Sequence, residues 1–454
     1  MVAQSVDVVV VGMGPGGEDV ASKLAVAGLS VVGVDQRLLG GECPYFGCVP
    51  SKMMIRAADA LAEGRRVNGL AGGSTLTPDF TPVAKRIRQE ATDDWDDTVA
   101  VERFQSKGGV FVRGHGVITG PNTVTVNGDD YIARRGIVLN TGTEPSIPPI
   151  AGLADTPYWT NRDAMRLETL PASVAVLGGG AIGAELSQMF ARFGVKVTVI
   201  EGAPRLLHLE EPESSELIEA AFREEGIAVH TGAMATAVSH DAGGFAVTLD
   251  NGVQVRAERL LVASGRRTNL TGIGLAAVGL DDNVRFLDAD EHMRVAEGVW
   301  AVGDIVGKGG FTHMSMYQAG VAIRDILGQE GPPARYHAVP HVTFTDPEVG
   351  SVGLTEAQAR AQGIAVRVGC QDIPASSRGW IHKLGNSGII KLVADEDRGV
   401  LVGATSVGPN GGEVLSALVL AVHAAVPVAK FREMIFAYPT FHRAIEAALD
   451  DLMS

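Results

Sequence analysis

One unit occurs twice in this chain and restricts its fold more than any other feature. Val6-Asp7-Val8-Val9-Val10-Val11 runs into Gly12-Met13-Gly14-Pro15-Gly16-Gly17, and Ser173-Val174-Ala175-Val176-Leu177 runs into Gly178-Gly179-Gly180-Ala181-Ile182-Gly183. Each is a short apolar run of the kind a buried parallel strand shows, then G-x-G-x-x-G, then a helical stretch. A second apolar run follows each helix, at 31–35 and at 195–201, and ends in an acid, Asp35 or Glu201. Each acid stands 23 positions after the first glycine of its unit. A lone G-x-G-x-x-G says little. Strand, glycines, helix, strand and acid at one spacing, twice over, predict two doubly wound α/β dinucleotide-binding domains. The first glycine (Gly12, Gly178) makes a tight turn, and the second (Gly14, Gly180) lets backbone approach a pyrophosphate. The third (Gly17, Gly183) lets the helix pack on the strand. The helix N-terminus turns free N–H groups toward the phosphates, and Asp35 and Glu201 are placed to accept hydrogen bonds from adenosine ribose hydroxyls.

The 454 residues carry 38 Lys+Arg against 53 Asp+Glu, a formal charge of −15. That balance argues against nucleic acid or an anionic membrane as a main partner. With 46% apolar residues the chain is globular, and its length suits two to four domains. The longest apolar stretch, 414–429, contains His423 and Pro427 and is shorter than the ~20 residues a spanning helix needs. The first residues carry no basic run and lead straight into a strand, so no signal peptide and a cytoplasmic location are expected. Beyond about Pro340 the pattern changes to strands separated by turns, at 342–345 and 389–394. A helical stretch at 413–426 and a final helix from about Phe441 follow, which predicts a third, α+β domain. The acidic segment 93–97 reads as a solvated helix face.

Three cysteines, Cys43, Cys48 and Cys370, are too few for a disulfide scaffold, so any disulfide here is expected to be catalytic. The first two lie in Gly40-Gly41-Glu42-Cys43-Pro44-Tyr45-Phe46-Gly47-Cys48-Val49-Pro50-Ser51-Lys52. Cysteines at this spacing close a small ring if the helix start is distorted, and Pro44, Gly47 and Pro50 allow that. Pro50 suits a first helical turn, which puts Cys48 near a helix N-terminus where the dipole favours a thiolate. Lys52, one turn on, adds positive charge on the same face. A zinc pair or two buried thiols would use the same cysteines. Zinc wants four ligands, and no second cysteine pair or spaced histidine pair exists, so redox use is favoured. Cys370 reads as a packing residue.

These residues resemble the flavoprotein disulfide reductases, the class I pyridine nucleotide-disulfide oxidoreductases that include dihydrolipoamide dehydrogenase, glutathione reductase and mercuric reductase. The segment 40–52 is similar to their redox-active disulfide motif. Asn140-Thr141-Gly142-Thr143-Glu144-Pro145 is similar to the link out of their FAD domain, and Ala263-Ser264-Gly265-Arg266-Arg267-Thr268-Asn269 to the link back. Trp300-Ala301-Val302-Gly303-Asp304 looks like the second flavin motif, and Phe344-Thr345-Asp346-Pro347-Glu348-Val349 like the opening of the dimerisation domain.

The resemblance implies an FAD-binding domain at 1–150 and 270–337, an NAD(P)-binding domain at 151–269 and an α+β dimerisation domain at 338–454. Gly41, Lys52, Gly116, Thr141, Gly142, Asp304 and Gly265 then join the glycines and acids of the two units as cofactor contacts. Glu185 falls where the family pairs a glutamate with the flavin-side lysine, here Lys52, which holds the ammonium near flavin N5. By the same resemblance, hydride passes from nicotinamide to FAD and on to a Cys43–Cys48 disulfide. Cys48 is the thiolate facing the flavin and Cys43 the thiol that attacks the substrate. Glu201 favours NADH, because a carboxylate there binds a free 2′-hydroxyl and repels a 2′-phosphate. Arg205, four residues on, would still admit NADPH. Ala181 leaves no aromatic gate in the glycine turn.

One motif departs from the family. Its members usually end in His-x-His-Pro-Thr followed shortly by a glutamate, delivered from the partner subunit, and the second His is the acid-base group. Here the stretch reads Phe436-Ala437-Tyr438-Pro439-Thr440-Phe441-His442-Arg443, so Tyr438 takes the His position and Arg443 the Glu position. A phenol with a pKa near ~10 donates a hydrogen bond but is a poor base. His442 is either a replacement base or a surface residue. Without a base, the expected substrate is a small disulfide whose thiol leaves readily, heteroaromatic or thione-forming. Tyr45, Phe46, Phe436, Tyr438 and Phe441 would rim its site. The alternatives are a reductase of quinones or other acceptors, including metal ions, and a non-catalytic redox-sensing flavoprotein subunit. Mercuric reductases use a vicinal cysteine pair near the C-terminus, and Leu449-Asp450-Asp451-Leu452-Met453-Ser454 has none. A homodimer is implied, because the C-terminal segment completes a site only across a subunit interface.

Overall fold

The computed structural model describes residues 3–454, which form two compact units. The first combines the described residues up to Pro50 with Lys85–Ser146 and Arg266–Tyr336. Its sheet runs Arg294–Ala296, Val299–Ala301, Asp129–Leu139, Ala3–Val11, Val31–Asp35, Val110–Arg113. The hairpin Val117–Gly120 and Thr123–Val126 adds to Asp129–Leu139. Val8 to Val11 are paired in parallel on both sides, with Val31 to Val34 and with residues 136–139. Helices Pro15–Val26 and Thr312–Leu327 pack on each other and on this sheet. A strand covered on both faces must be apolar at every position, hence the unbroken valines.

The second unit holds Ser51–Ala84, Ile147–Gly265 and His337–Ser454. It contains a parallel sheet in the order Ala228–His230, Lys196–Ile200, Ser173–Leu177, Arg259–Val262 and an antiparallel three-stranded sheet at 235–257. A five-stranded antiparallel sheet follows, Pro340–Thr343, Glu348–Gly353, Val400–Gly408, Ile389–Asp395, Val366–Asp372, covered by helices Gly411–His423 and Ala444–Met453. Buried ion pairs tie its parts together. Arg192, 2% exposed, reaches Asp59 at 2.6 Å and Glu225 and Asp346 at 2.7 Å. Lys391, 4% exposed, holds Glu211 and Glu356 at 3.0 Å and Glu213 at 2.7 Å. Among the described residues no helix is long and apolar enough to cross a membrane.

The acidic segment 93–97 is solvated at Asp93, Asp94 and Asp96, but it is no regular helix face and one of its acids is buried. Asp93–Trp95 form one tight turn with positive φ, and Asp97 turns inward, 6% exposed. Its carboxylate accepts from the Leu39 N–H at 2.6 Å and from Arg113 Nη2 at 2.7 Å to both oxygens. Charge density along a sequence cannot show which of several acids has a buried N–H to satisfy. Asp97→Ala, which orphans the buried Leu39 N–H, should cost about 1–3 kcal/mol, read as a lower urea midpoint.

Candidate active site

The two glycine turns are built alike. Gly12 and Gly178 have φ of +93° and +111°, and a Cβ there would lie 2.2 Å from Asn140 O and 2.4 Å from Ala263 O. A Cβ on Gly17 or Gly183 would lie 2.0 or 1.9 Å from the carbonyl oxygen of Gly12 or Gly178, so helix and turn approach only because both are glycine. Around Gly180 a Cβ would meet nothing within 4 Å, leaving room for a ligand. The acids hold the turns. Asp35 accepts from Met13 N at 2.8 Å and Arg37 N at 2.7 Å, while Glu201 accepts from Gly179 N and Ala203 N, both at 2.6 Å. Burial pushes the Asp35 carboxyl up, and its backbone N–H bonds act against that.

In the first unit this turn opens on a cleft of about 380 Å³ lined by Gly12, Asp35, His115, Gly116 and Thr141. The Thr141 hydroxyl is buried without a hydrogen-bond partner, as expected where a ligand supplies one. Gly41, with φ +71°, runs against the turn: its Cβ would lie 2.8 Å from Gly14 Cα. Gly142 also has positive φ, with open space beside it. Asp304 accepts from the Thr143 hydroxyl at 2.5 Å, and Arg266 bonds both oxygens of Thr143 at 2.7 and 2.8 Å. These groups fit a dinucleotide laid from Asp35 across the glycines toward Asp304. Asn140 was not foreseen as a site residue. It accepts from Gly17 N and donates to Val302 O, both at 2.8 Å, and so clamps the phosphate-side helix to the end of the sheet.

These contacts separate packing from binding. Gly183→Ala should destabilise the second unit, whereas Gly180→Ala should leave stability near wild type and raise the KM for the nicotinamide nucleotide. Thermal melts beside NADH kinetics check this.

The cysteines sit where a helix is interrupted. Glu42–Phe46 form a short helix that breaks at Gly47 (φ −133°, ψ −115°), and Cys48 opens the helix Cys48–Leu70. Both cysteines are free thiols, Cys43 partly buried and Cys48 exposed. The Cys43 thiol is pushed well up, first by its hydrogen bond to Cys48 and then by burial, with the Thr312 hydroxyl acting the other way. Cys48 stands at the start of its helix, the position where the dipole favours a thiolate. Thr312 Oγ1 lies 3.3 Å from Cys48 Sγ. It comes from a helix 264 positions away, and no local pattern announces the contact.

In the second unit Lys52 Nζ lies 2.6 Å from Glu185 Oε2, which brings together the two residues expected to pair. Glu185 Oε1 accepts from Phe344 N at 2.8 Å, and Lys52 Nζ stands 4.8 Å from the Phe344 ring centroid. Arg205, which the sequence leaves open to a 2′-phosphate, is engaged through both terminal nitrogens. Its guanidinium donates to Leu207 O, His208 O, Glu210 O and Ser215 Oγ at 2.6–3.3 Å. Of the five aromatics expected to rim the substrate site, three are packed away. Tyr45, Phe436 and Phe441 are 5–6% exposed; the last two pack in the C-terminal core, because the segment presenting Tyr438 must anchor both its ends there. Tyr438 is 68% exposed, with the Arg443 guanidinium 5.6 Å from its ring and turned to Glu446 at 2.9 Å. His442 lines a separate pocket with Arg378, Asn410 and Glu413.

Geometry and sequence comparison agree on the class. The chain belongs to the pyridine nucleotide-disulphide oxidoreductases, whose family model matches residues 6–324 and whose dimerisation-domain model matches residues 339–449. It is 33% identical to a dihydrolipoyl dehydrogenase of Chlorobaculum tepidum, covering 100% of this chain and 98% of the relative. It is 32% identical to a mercuric reductase of Streptomyces lividans, over 99% and 96%. Among solved structures it is similar to LpdA from Mycobacterium tuberculosis, with TM-score 0.86, 26% identity, and 99% and 100% coverage. It is also similar to the Cu(II) complex of the HOCl-induced flavoprotein disulfide reductase RclA from Escherichia coli, with TM-score 0.85, 25% identity, and 98% and 99% coverage. The protein is thus an NAD(P)H-dependent flavoprotein oxidoreductase of the sulfur-acting class, with two dinucleotide-binding domains and a C-terminal dimerisation domain.

Proposed function

We propose that the protein reduces a small disulfide through Cys43 and Cys48, with NADH as preferred donor, as a homodimer. The balance is NADH + H⁺ + RSSR → NAD⁺ + 2 RSH. The observation that carries the reading is the thiol pair at the helix break: Cys43 partly buried, and Cys48 exposed at a helix start beside the Thr312 hydroxyl. On the FAD side we assign Gly12, Gly14, Gly17, Asp35, Gly41, Gly116, Thr141, Gly142 and Asp304, and on the nicotinamide side Gly178, Gly180, Gly183, Glu201 and Gly265. Bound FAD would supply two-electron carriage between NADH and the cysteine pair. By the resemblance to the family, Lys52, held by Glu185, would supply the ammonium on the flavin side. Cys43 attacks the substrate disulfide and releases one thiol, and Cys48 then displaces the second and closes the Cys43–Cys48 bond. Glu201 and the engaged Arg205 favour NADH.

Tyr438 and Arg443 replace a base and its carboxylate, so leaving thiols of low pKa are favoured. An aromatic disulfide such as 5,5′-dithiobis(2-nitrobenzoate) should show a kcat/KM well above that of an alkyl disulfide; equal values would overturn this preference. The RclA structure is a Cu(II) complex, which makes metal-ion reduction the second reading. Ile435, Trp380 and Leu420 stand 96%, 74% and 64% exposed in the C-terminal part, apolar side chains that a second copy would cover. Ile435→Asp should shift sedimentation toward monomer.

A further inference from the structure

The pocket that His442 lines has a charge pattern the disulfide chemistry does not use. It holds about 310 Å³, near the low end of ligand pockets (~300–1,000 Å³), and its polar lining is Arg378, Asn410, Glu413, Thr440 and His442. Arg378 lies 5.4 Å from the Phe441 ring centroid, and among the described residues its guanidinium has no carboxylate partner. Glu413, in the first turn of Gly411–His423, likewise has no cation paired to it, and the two do not pair with each other. The Asn410 amide has no protein partner, while the Thr440 hydroxyl donates to Ala437 O at 2.7 Å and keeps its acceptor side. Pro439 lines the pocket, so it adjoins Tyr438, the position where the family carries its acid-base residue.

One cavity thus offers a forked cation, a separate carboxylate, an amide and an imidazole. A carboxylate-only ligand would leave Glu413 facing like charge, and an ammonium-only ligand would leave the Arg378 fork unfilled. A zwitterion satisfies both. We propose that this pocket binds the amino-acid head of the substrate, its carboxylate on Arg378 and its ammonium on Glu413, so that the substrate is a disulfide of an amino-acid-derived thiol. This rests on the disulfide-reductase reading for its site, but its test does not.

Calorimetry on the holoenzyme without NADH compares three disulfides: L-cystine (both charges), 3,3′-dithiodipropionate (carboxylate only) and cystamine (ammonium only). L-Cystine should bind tightest. Arg378→Met should weaken L-cystine about tenfold or more and bring it level with cystamine, with Arg378→Lys intermediate because it keeps charge and loses the fork. Glu413→Gln should bring L-cystine level with dithiodipropionate. Equal binding of the three disulfides, or variants that bind them as wild type does, would overturn the proposal. So would Arg378→Met that leaves binding intact and weakens the dimer in sedimentation, since a second copy would then fill the pocket. Binding of L-cystine without NADH-driven turnover of any disulfide would sink the reductase reading and leave the pocket assignment standing. Turnover without discrimination would do the reverse.

Discussion

Cys43→Ser should lower NADH-driven disulfide turnover at least about 10³-fold, since a serine hydroxyl at neutral pH neither forms nor accepts a disulfide. The same variant should still reduce ferricyanide or a quinone, because those acceptors take electrons before the cysteine pair. The partition follows from the geometry at the break between helices Glu42–Phe46 and Cys48–Leu70. The attack on substrate is assigned to Cys43 by the resemblance to the family; its thiol, pushed up by the hydrogen bond to Cys48 and by burial, must lose its proton first. Cys48→Ser should also stop turnover, but it leaves Cys43 able to form a stable mixed disulfide with the substrate thiol, detectable by mass spectrometry. If Cys43→Ser keeps disulfide turnover, the thiol assignment fails.

Lys52→Met is the second large effect. Glu185 is 7% exposed and would keep one hydrogen bond, from Phe344 N, with no cation beside it. Stripping the partner from a buried charge costs roughly 3–5 kcal/mol, and Lys52 is itself 35% exposed, so about 2–3 kcal/mol is expected. Glu185→Gln keeps an acceptor for Phe344 N and should cost less. Flavin reduction by NADH should slow about 10²-fold in Lys52→Met, the size of effect when a fixed cation near developing charge is lost. Stopped-flow reduction and urea unfolding of the two variants separate the roles. A stability loss with an unchanged reduction rate would make the pair structural only.

What the sequence disclosed was local or repeated. The strand Ser173–Leu177 and its glycine turn could be read because every element of that unit lies within 30 residues and recurs at one spacing. The Lys52–Glu185 pair was legible only through resemblance, since nothing near either residue points to the other. What was missed is long-range. Asp97 and Leu39 meet 58 positions apart, and Thr312 meets Cys48 across 264. The packing of three rim aromatics was missed for a related reason: hydrophobicity marks Tyr45, Phe436 and Phe441 as wanting burial, but does not say whether a core or a substrate provides it. The engagement of Arg205 was missed because its four acceptors include three backbone carbonyls, which composition does not reveal.

The central claim is that electrons from NADH reach the cysteine pair. Anaerobic titration of the holoenzyme with NADH, followed by its visible spectrum, tests it most directly. A stable long-wavelength band, from the Cys48 thiolate lying against oxidised flavin, should appear at the first equivalent and be absent from Cys48→Ser. Complete bleaching of the flavin by one equivalent, with no such band, would mean that electrons stop before the cysteines and would contradict the account.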